Sequence, residues 1–402
     1  MANTRTVVEI LNNSLAKIAE VKNLYPITQQ GMLLRYSQEL SDYGKCMFRV
    51  STKDPLWTTY GDIFVPHQYH VRIKRGTTTV WQGAIIDNKS RNKNYVEVNA
   101  AEYEFYLDKI RIKRNTSAPA SWTAQYGTDG GWVNYRNFET GTMATAVTAI
   151  ITEAIAGFGT QHVLGAMTLG TIESPDYPNN FVTSATIPVP MTGPWTFTSD
   201  VALQFDYHSV KYALQAFGGY TGADFEITKD LVFNFKKFIG SNRQYELTFQ
   251  YGTFGNIVDY DVPRLGGRMA NDVMGIAVDD NGNVLHVSER DNASITTYGL
   301  MEDTRAFTDV KSDNIMRARL TEELQFIKTP NDSAVNIVLN EKSYPLGQYG
   351  IGDIVTVKIK DHIIDYNQPR RIVGITVNLH NTGREMVTLQ TNKPREDQYG
   401  AV

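Results

Sequence analysis

One cysteine, Cys46, is all that the 402 residues contain. An intrachain disulfide and a thiolate-based zinc cluster are both excluded, and the lone thiol is expected as a small buried group on a strand. An excess of one charge is missing too: 39 Lys and Arg stand against 43 Asp and Glu, a formal net charge of −4. That excludes a chain whose main task is gripping nucleic-acid phosphates, although a local basic patch stays open. Long hydrophobic runs are absent. The most membrane-like stretch, 143–158, falls short of the ~20 residues that cross hydrocarbon and carries Glu153, so it reads as a soluble helix and no membrane-spanning segment is expected. The first residues have no basic region followed by an apolar core, so no secretion signal is expected and synthesis is placed in a cytoplasm. No G-x-S-x-G elbow, Walker loop or G-x-G-x-x-G stretch occurs.

What is present is an ordinary globular composition, 42% hydrophobic and 20% charged, in a chain long enough for two or three domains. Val8, Leu11, Leu15 and Ile18 recur at three- and four-residue spacing, which predicts a helix over 7–24. Residues 1–25 are thus expected to form a lid on a barrel or an arm toward a neighbouring subunit. From 45 to 112 the period drops to two. Strands are expected at 46–52, 69–75, 78–87 and 95–101, with turns at Gly76-Thr77 and along the polar run 88–94. Residues 26–113 are assigned to a first tube-like antiparallel β-barrel, completed by later strands.

Residues 114–200 read as a loop-rich insertion with the aromatic stretch 122–138 and a helix over 142–156, N-capped by Thr142. Pro175, Pro178, Pro188, Pro190 and Pro194 follow within twenty residues, a density that forbids a central strand or a helix. Residues 201–330 predict a strand–helix–hairpin unit. Asp206 would cap a helix over 207–217, ended by Gly218-Gly219, with Val210, Leu214 and Phe217 inward. Phe225, Ile227, Leu231, Phe233 and Phe235 alternate toward that helix, and more strands are expected at 245–251, 256–262, 272–279 and 284–288. A helix over 313–327 carries Met316, Leu320, Leu324 and Ile327 on one stripe. Residues 331–391 give the cleanest alternation: Val335, Ile337 and Leu339; Val355, Val357 and Ile359; Val373, Ile375, Val377 and Leu379; Val387 and Leu389. That pattern predicts a second small antiparallel barrel before a polar tail at 392–402. The expected class is mainly β with some α: two tube-like antiparallel β-barrels, a small α/β unit and the inserted loop-rich region.

Candidate chemistry is sparse. Asp279-Asp280-Asn281-Gly282-Asn283 looks like a calcium loop, but its glycine stands fourth rather than sixth and position twelve is Arg290, so a hairpin turn is expected. His67 and His70, three apart in an extended region, would point to opposite faces and share no metal. Glu102 and Glu104 lie on one presumed strand face, the arrangement a glycosidase would need, but solvated strand carboxylates are far commoner. Trp122, Tyr126, Trp132, Tyr135 and Phe138 either pack the insertion onto the barrel or offer a stacking surface to a protein partner or a sugar. No catalytic, cofactor-binding or metal residue is assigned, and a non-enzyme without cofactor is expected.

Several stretches carry a resemblance. They are Val80-Trp81-Gln82-Gly83 with Tyr95-Val96-Glu97-Val98-Asn99-Ala100-Ala101-Glu102 and Tyr103-Glu104-Phe105-Tyr106-Leu107; the helix and hairpin of 212–235; and Gly252-Thr253-Phe254-Gly255-Asn256-Ile257 with Ala270-Asn271-Asp272-Val273. Ala293-Ser294-Ile295-Thr296-Thr297-Tyr298-Gly299, and Leu346-Gly347-Gln348-Tyr349-Gly350-Ile351-Gly352-Asp353-Ile354-Val355 with Arg371-Ile372-Val373-Gly374-Ile375, complete the series. In this order, over about 45–391, they resemble the tail hub proteins of long-tailed bacteriophages, related to the baseplate hubs of contractile tails and to type VI secretion spike proteins. The resemblance implies a structural virion protein: a homotrimer at the tail tip whose two barrels per subunit form a ring of six, adapting a sixfold tail tube to a threefold tip. It also implies partners, namely the tail tube or distal tail protein, a tape measure protein, and a tip spike, fibre or receptor-binding protein. DNA would pass through the lumen during ejection and host cell entry without specific binding, and the chain, made in the host bacterial cytoplasm, would end in the viral tail. The alternative is a receptor-binding tail protein recognising host-surface glycan through the 122–138 aromatics; a tail-associated hydrolase is a remote third.

Overall fold

A computed structural model describes residues 6–112, 135–137, 143–173, 185–187, 195–197, 204–206, 208–253, 255–263, 267, 269–278, 282–307, 310, 313–329, 335–339 and 346–394. The fold is mainly β. The first eight strands are β1 (Thr6–Leu11), β2 (Lys17–Glu20), β3 (Leu24–Tyr25), β4 (Met32–Glu39), β5 (Lys45–Ser51), β6 (His70–Arg75), β7 (Thr78–Arg91) and β8 (Tyr95–Ala101). The middle of the chain holds β9 (Tyr135–Asn137), β10 (Thr168–Ile172), β11 (Ala185–Ile187), β12 (Trp195–Phe197), β13 (Gln204–Asp206), β14 (Asp224–Ile227) and β15 (Val232–Lys236). Then come β16 (Thr248–Gln250), β17 (Ile257–Asp261), β18 (Asp272–Val278), β19 (Val284–Arg290), β20 (Glu302–Phe307), β21 (Val335–Leu339), β22 (Ile354–Lys360), β23 (Asp365–His380) and β24 (Glu385–Asn392). Three longer helices are α1 (Met143–Phe158), α2 (Val210–Thr221) and α3 (Asp313–Ile327).

The helix expected over 7–24 does not form. A hairpin stands there instead, β1 paired antiparallel with β2. The Asn12 side chain accepts from the backbone N–H of Ser14 (3.1 Å) and Ala16 (3.0 Å), and Leu15 takes a φ of 60°, so the chain reverses at 12–16. A strand, a turn and a strand had put apolar residues at 8, 11, 15 and 18 by coincidence; the Asn-Asn-Ser turn chemistry decides against the helix.

Pairings in the first block run back on themselves. Strand β5 pairs β8, β8 pairs β7, β7 pairs β6, β6 pairs β1 and β1 pairs β2. Beyond β2 the chain bends at Lys22 and Asn23, whose N–H groups both donate to Asp54 Oδ2 (2.7 and 2.6 Å), and continues as β3, which pairs β5 again. The last block makes a similar circuit: β16 pairs β22, β22 pairs β23, β23 pairs β24, β24 pairs β21 and β21 pairs β17, and a bridge from Tyr251 to Ile257 returns to the end of β16. Strand β4 joins the two circuits, paired with β5 on one edge and with β23 on the other, so that one 14-stranded sheet spans both. Their inward side chains merge into a single core containing Trp81, Phe48, Phe64, Phe249, Val357 and Ile375. The buried pair Arg75–Glu385 (3.3 Å) ties β6 to the start of β24 across this core, with Thr6 Oγ1 donating to the same carboxylate at 2.5 Å.

The inward alternation of the last block holds with one change. Val373 is only half-buried, and Ile372 is enclosed in its place, because the β23–β24 register shifts between Ile372 and Gly374. A bulge of this kind flips the face that each following residue presents.

A second core gathers α1, α2 and α3 against two three-stranded sheets, β10–β15–β14 and β19–β18–β20. The stripe Met316, Leu320 and Leu324 of α3 is buried, as the sequence predicts, and so are Phe225, Phe233 and Phe235. Helix α2 begins later than expected. Ser209, not Asp206, caps it by accepting from the Tyr212 N–H (3.1 Å), and Gly222 in a left-handed conformation ends it rather than Gly218-Gly219. Helix α1 of the insertion, with Val147, Ile150, Ile151 and Ala154 buried, belongs to this core. Thr142, all five clustered prolines, and Trp122, Tyr126, Trp132 and Phe138 lie outside the described residues.

Candidate functional site

The two cores meet along a polar seam. On one side stand the β4–β5 turn (residues 40–44), the end of β8 with the single helical turn Glu104–Leu107, and Arg371 of β23. On the other stand α2 and the hairpin β14–β15. Strand β14 is the edge of its sheet, so its outward N–H groups need acceptors from elsewhere. They find side chains of the large sheet: the Phe225 N–H donates to Ser41 Oγ (3.2 Å) and the Ile227 N–H to Glu104 Oε1 (2.6 Å).

Charged groups complete the joint. Arg371 donates to Asp224 Oδ2 at 2.5 Å and to the carbonyls of Ile239 (2.9 Å) and Gly352 (3.2 Å). The two paired side chains are 8% and 13% exposed, which puts this ion pair in the buried class. Lys211 of α2 pairs with Asp42 at 2.6 Å. Gln82 Nε2 donates to the Lys229 carbonyl at 3.0 Å, and Lys229 Nζ to the Thr79 carbonyl at 2.7 Å. The connector 239–241 runs so close to Gly352 (φ 87°) that a Cβ there would lie 1.9 Å from the Ile239 carbonyl oxygen, so that position requires glycine. A cleft of about 390 Å³ opens beside the joint, lined by Glu39, Ser41, Asp42, Gln215, Asp224 and Gln390 among others.

The acids raised by the sequence sit in this seam rather than in an open cleft. Glu102 Oε2 accepts the Gly44 N–H at 2.8 Å, and Glu104 is held by Ile227 as above. Burial pushes both carboxyl groups up, Glu104 to about 7; the Glu104 charge adds to the push on Glu102, and those of Glu226 and Asp42 to that on Glu104. Cys46 is a buried strand thiol whose ionisation is pushed up by burial and then by Glu102.

His67 and His70 go separate ways: His67 Nδ1 meets Tyr106 Oη at 3.1 Å, while the enclosed His70 Nε2 meets Asn13 Oδ1 at 3.1 Å. Among the described residues no group of three or more His, Cys, Asp or Glu is placed to hold a metal ion. The segment that resembled a calcium loop joins β18 to β19 with Val278 and Val284 as their last pair, and Gly282 has a φ of 82°; Asp279, Asp280 and Asn281 lie outside the described residues. Of the five aromatics only Tyr135 falls in a described strand, β9. Sequence reasoning missed Arg371, Asp224 and Ser41. The available signal was two adjacent arginines, Arg370 and Arg371, directly before the apolar alternation that begins at Ile372 within β23, where burial demands partners.

No family model matches the chain, and no curated protein matches it in sequence. Solved structures do match. The tail protein from Neisseria meningitidis MC58 aligns over 96% of this chain and 96% of its own, with a TM-score of 0.58 at 11% identity. The 43 kDa tail protein of prophage MuSo2 from Shewanella oneidensis aligns over 97% and 98%, with a TM-score of 0.57 at 10% identity. Prophage tail protein gp18 from Listeria monocytogenes EGD-e aligns over 97% and 95%, with a TM-score of 0.53 at 11% identity. Over nearly its whole length, the chain has the fold of these phage tail proteins.

Proposed function

We propose that the chain is a structural, non-catalytic tail protein: a homotrimeric hub at the tail tip or baseplate that adapts a sixfold tube to a threefold tip and lines the channel for DNA. The observation that carries this reading is the doubled circuit. Each block closes through a round of six strand segments (β2 and β3 counting as one bent segment), and β4 couples the two rounds rigidly. Three such chains carry six like modules, and cyclic symmetry would repeat one contact between neighbours. The match to tail proteins supports the setting, and Glu102 and Glu104, enclosed and bonded to backbone amides, do not have the geometry of an acid pair flanking a substrate. In the virion the chain would meet the tube or distal tail protein and the tape measure protein on one side, and a spike, fibre or receptor-binding protein on the other. The domain plan that goes with this departs from the sequence expectation: the first round is completed by the earlier strands β1, β2 and β3 (residues 6–25) rather than by later ones, the second takes in β16 and β17 (248–261) as well as strands of 331–391, and the α/β unit lies between the two.

Electron images of the assembled tail, together with the mass of the isolated oligomer, test the proposal. Three copies with threefold symmetry and six similar modules around a lumen are expected. One copy on a fibre, or six equal copies about the axis, overturns it.

A further inference from the structure

The seam runs on past the helical turn Glu104–Leu107 into a corner that gathers His67, His70 and His162. His70 of β6 is fully enclosed, and its Nε2 meets Asn13 Oδ1 of the β1–β2 turn at 3.1 Å. The same Asn13 side chain donates through Nδ2 to the Gln161 carbonyl at 3.3 Å, just beyond α1. His162 Nδ1 then accepts the Leu164 N–H at 3.2 Å and caps the 3-10 turn Val163–Ala166. Its ring stacks on Phe158, the last residue of α1, with centroids 4.7 Å apart, and meets the Tyr106 ring edge-on at 4.5 Å. Tyr106 Oη in turn lies 3.1 Å from His67 Nδ1.

These bonds fix the protons. A backbone N–H can only donate, so His162 Nδ1 carries a lone pair. The Asn13 amide gives its N–H to Gln161, so its oxygen takes the His70 Nε2–H, and His70 Nδ1 is left enclosed without a partner. Both rings are therefore neutral in the packed corner. We propose that this corner is an acid-released catch: neutral His70 and His162 hold the segment 159–167 against the β1–β2 turn, and protonation of the two rings frees it.

Protonated His162 has no lone pair for Leu164 and would set two N–H groups head to head. Protonated His70 would bury a charged N–H with nothing to accept it, and it can reach water only by leaving Asn13. The rings of Phe158 beside His162 and Tyr103 beside His70 favour a cation, but by less than a buried unpaired charge costs. Among the described residues, the ionisable group acting on His70 is His162, and the one acting on His162 is His67. Arg72 of β6 is turned to the Leu15 carbonyl and to Glu9, which also pairs with Lys17 of β2; Lys109, after the helical turn, lies over the Phe105 ring.

The sign agrees with the bonding. Burial pushes both imidazoles below the ordinary 6.5, His70 to about 4, and like charge adds to the push. Opening returns them toward 6.5 and so binds protons: the catch is closed above that value and weakens as pH falls toward 4. Through His70 alone, the opening constant rises about twentyfold between pH 7 and pH 5.

Hydrogen exchange on the full chain at pH 7, 6 and 5, corrected for the intrinsic rate at each pH, reads the catch at peptides over 12–18 and 159–167. Protection there is expected to fall about twentyfold from pH 7 to pH 5, with the β23–β24 ladder more protected throughout. His70→Gln can still donate to Asn13 and His162→Asn can still cap the turn, yet neither titrates, so the paired variant is expected to hold its protection at pH 5. Equal protection at pH 7 and pH 5 in the unmodified chain overturns the proposal, as does a slope that survives in the paired variant or a ladder that opens in one step with the corner. Should the variant not fold, imidazole nitrogen NMR shifts of the unmodified chain give an independent reading. At pH 7 both rings are expected as Nε2–H tautomers with a bare Nδ1, and a protonated Nδ1 on either ring at that pH overturns the proposal.

Discussion

Replacing Arg371 by methionine tests whether the seam is held by one enclosed ion pair. The substitution keeps most of the side-chain volume and removes five N–H donors. Asp224 is then left 13% exposed with no cation, and the Ile239 and Gly352 carbonyls each lose a donor. Breaking an enclosed pair from one side costs about 3–5 kcal/mol, most of it the penalty of the stranded charge. An exposed pair costs about 0–1 kcal/mol, which sets the scale for Arg91→Met at the pair with Asp62, where the side chains are 47% and 43% exposed. At a urea slope of about 2 kcal/mol/M, the Arg371 variant should lose roughly 2 M from the midpoint of the transition that releases the α/β unit. Proteolysis of the connector at 236–248 should accelerate in step. Combining Arg371→Met with Asp224→Asn should restore part of the loss, because the second change removes the stranded carboxylate. A midpoint within about 0.5 M of the original, or a double variant worse than the sum of its parts, would refute the argument that this pair is desolvated and joins the two cores.

Two further outcomes are expected. Val357 is fully enclosed between Phe249 of β16 and Gln368 of β23, so Val357→Asp should cost about 4–5 kcal/mol and abolish folding of the last circuit, seen as loss of soluble protein; ordinary expression and stability would show the inward register to be wrong. His70 is pushed down to about 4 by burial and, secondarily, by His162, so its contribution is complete above about pH 6.5 and is lost as pH falls toward 4. The total is about 3 kcal/mol, and a urea midpoint that does not drop between pH 7 and pH 4.5, or that drops equally in His70→Gln, contradicts it.

Much of the β framework was legible because its strands alternate cleanly. Val335, Ile337 and Leu339, or Val355, Val357 and Ile359, can bury one face only as strands, and a one-residue slip would expose the whole set. Helix α3 was legible for the matching reason, since its stripe repeats every three to four residues between polar ones. Failures came where two periods overlap or where pairing overrides pattern. The first hairpin mimicked a helix because its turn length happened to keep helical spacing. Val373 read as inward because a bulge, which depends on how two strands meet, leaves no mark on one strand alone. The seam was the least legible part. Arg371 and Asp224 are 147 residues apart, and Glu104 and Ile227 are 123 apart; nothing local in either member of these pairs names the other.

The manner of attachment sets apart what is rigid from what can respond. Strand β4 is paired with β5 over Leu34–Tyr36 on one side and with β23 over 32–39 on the other, so the two circuits cannot shift against each other without breaking consecutive backbone ladders. The α/β unit is joined differently: among the described residues its paired strands form sheets of their own, and its contacts with the large sheet at the seam run largely through side chains such as Arg371, Ser41, Glu104 and Gln82. Side-chain bonds to charged groups are individually worth about 1.5–3 kcal/mol and depend on protonation and solvent, whereas a ladder fails only as a whole. A conformational signal crossing this molecule would therefore have a laddered sheet to push against and, among the described residues, one place held mainly by side chains. That place is the seam between β14 and the β4–β5 turn, where each outward amide of the edge strand is met by a hydroxyl or a carboxylate rather than by another strand.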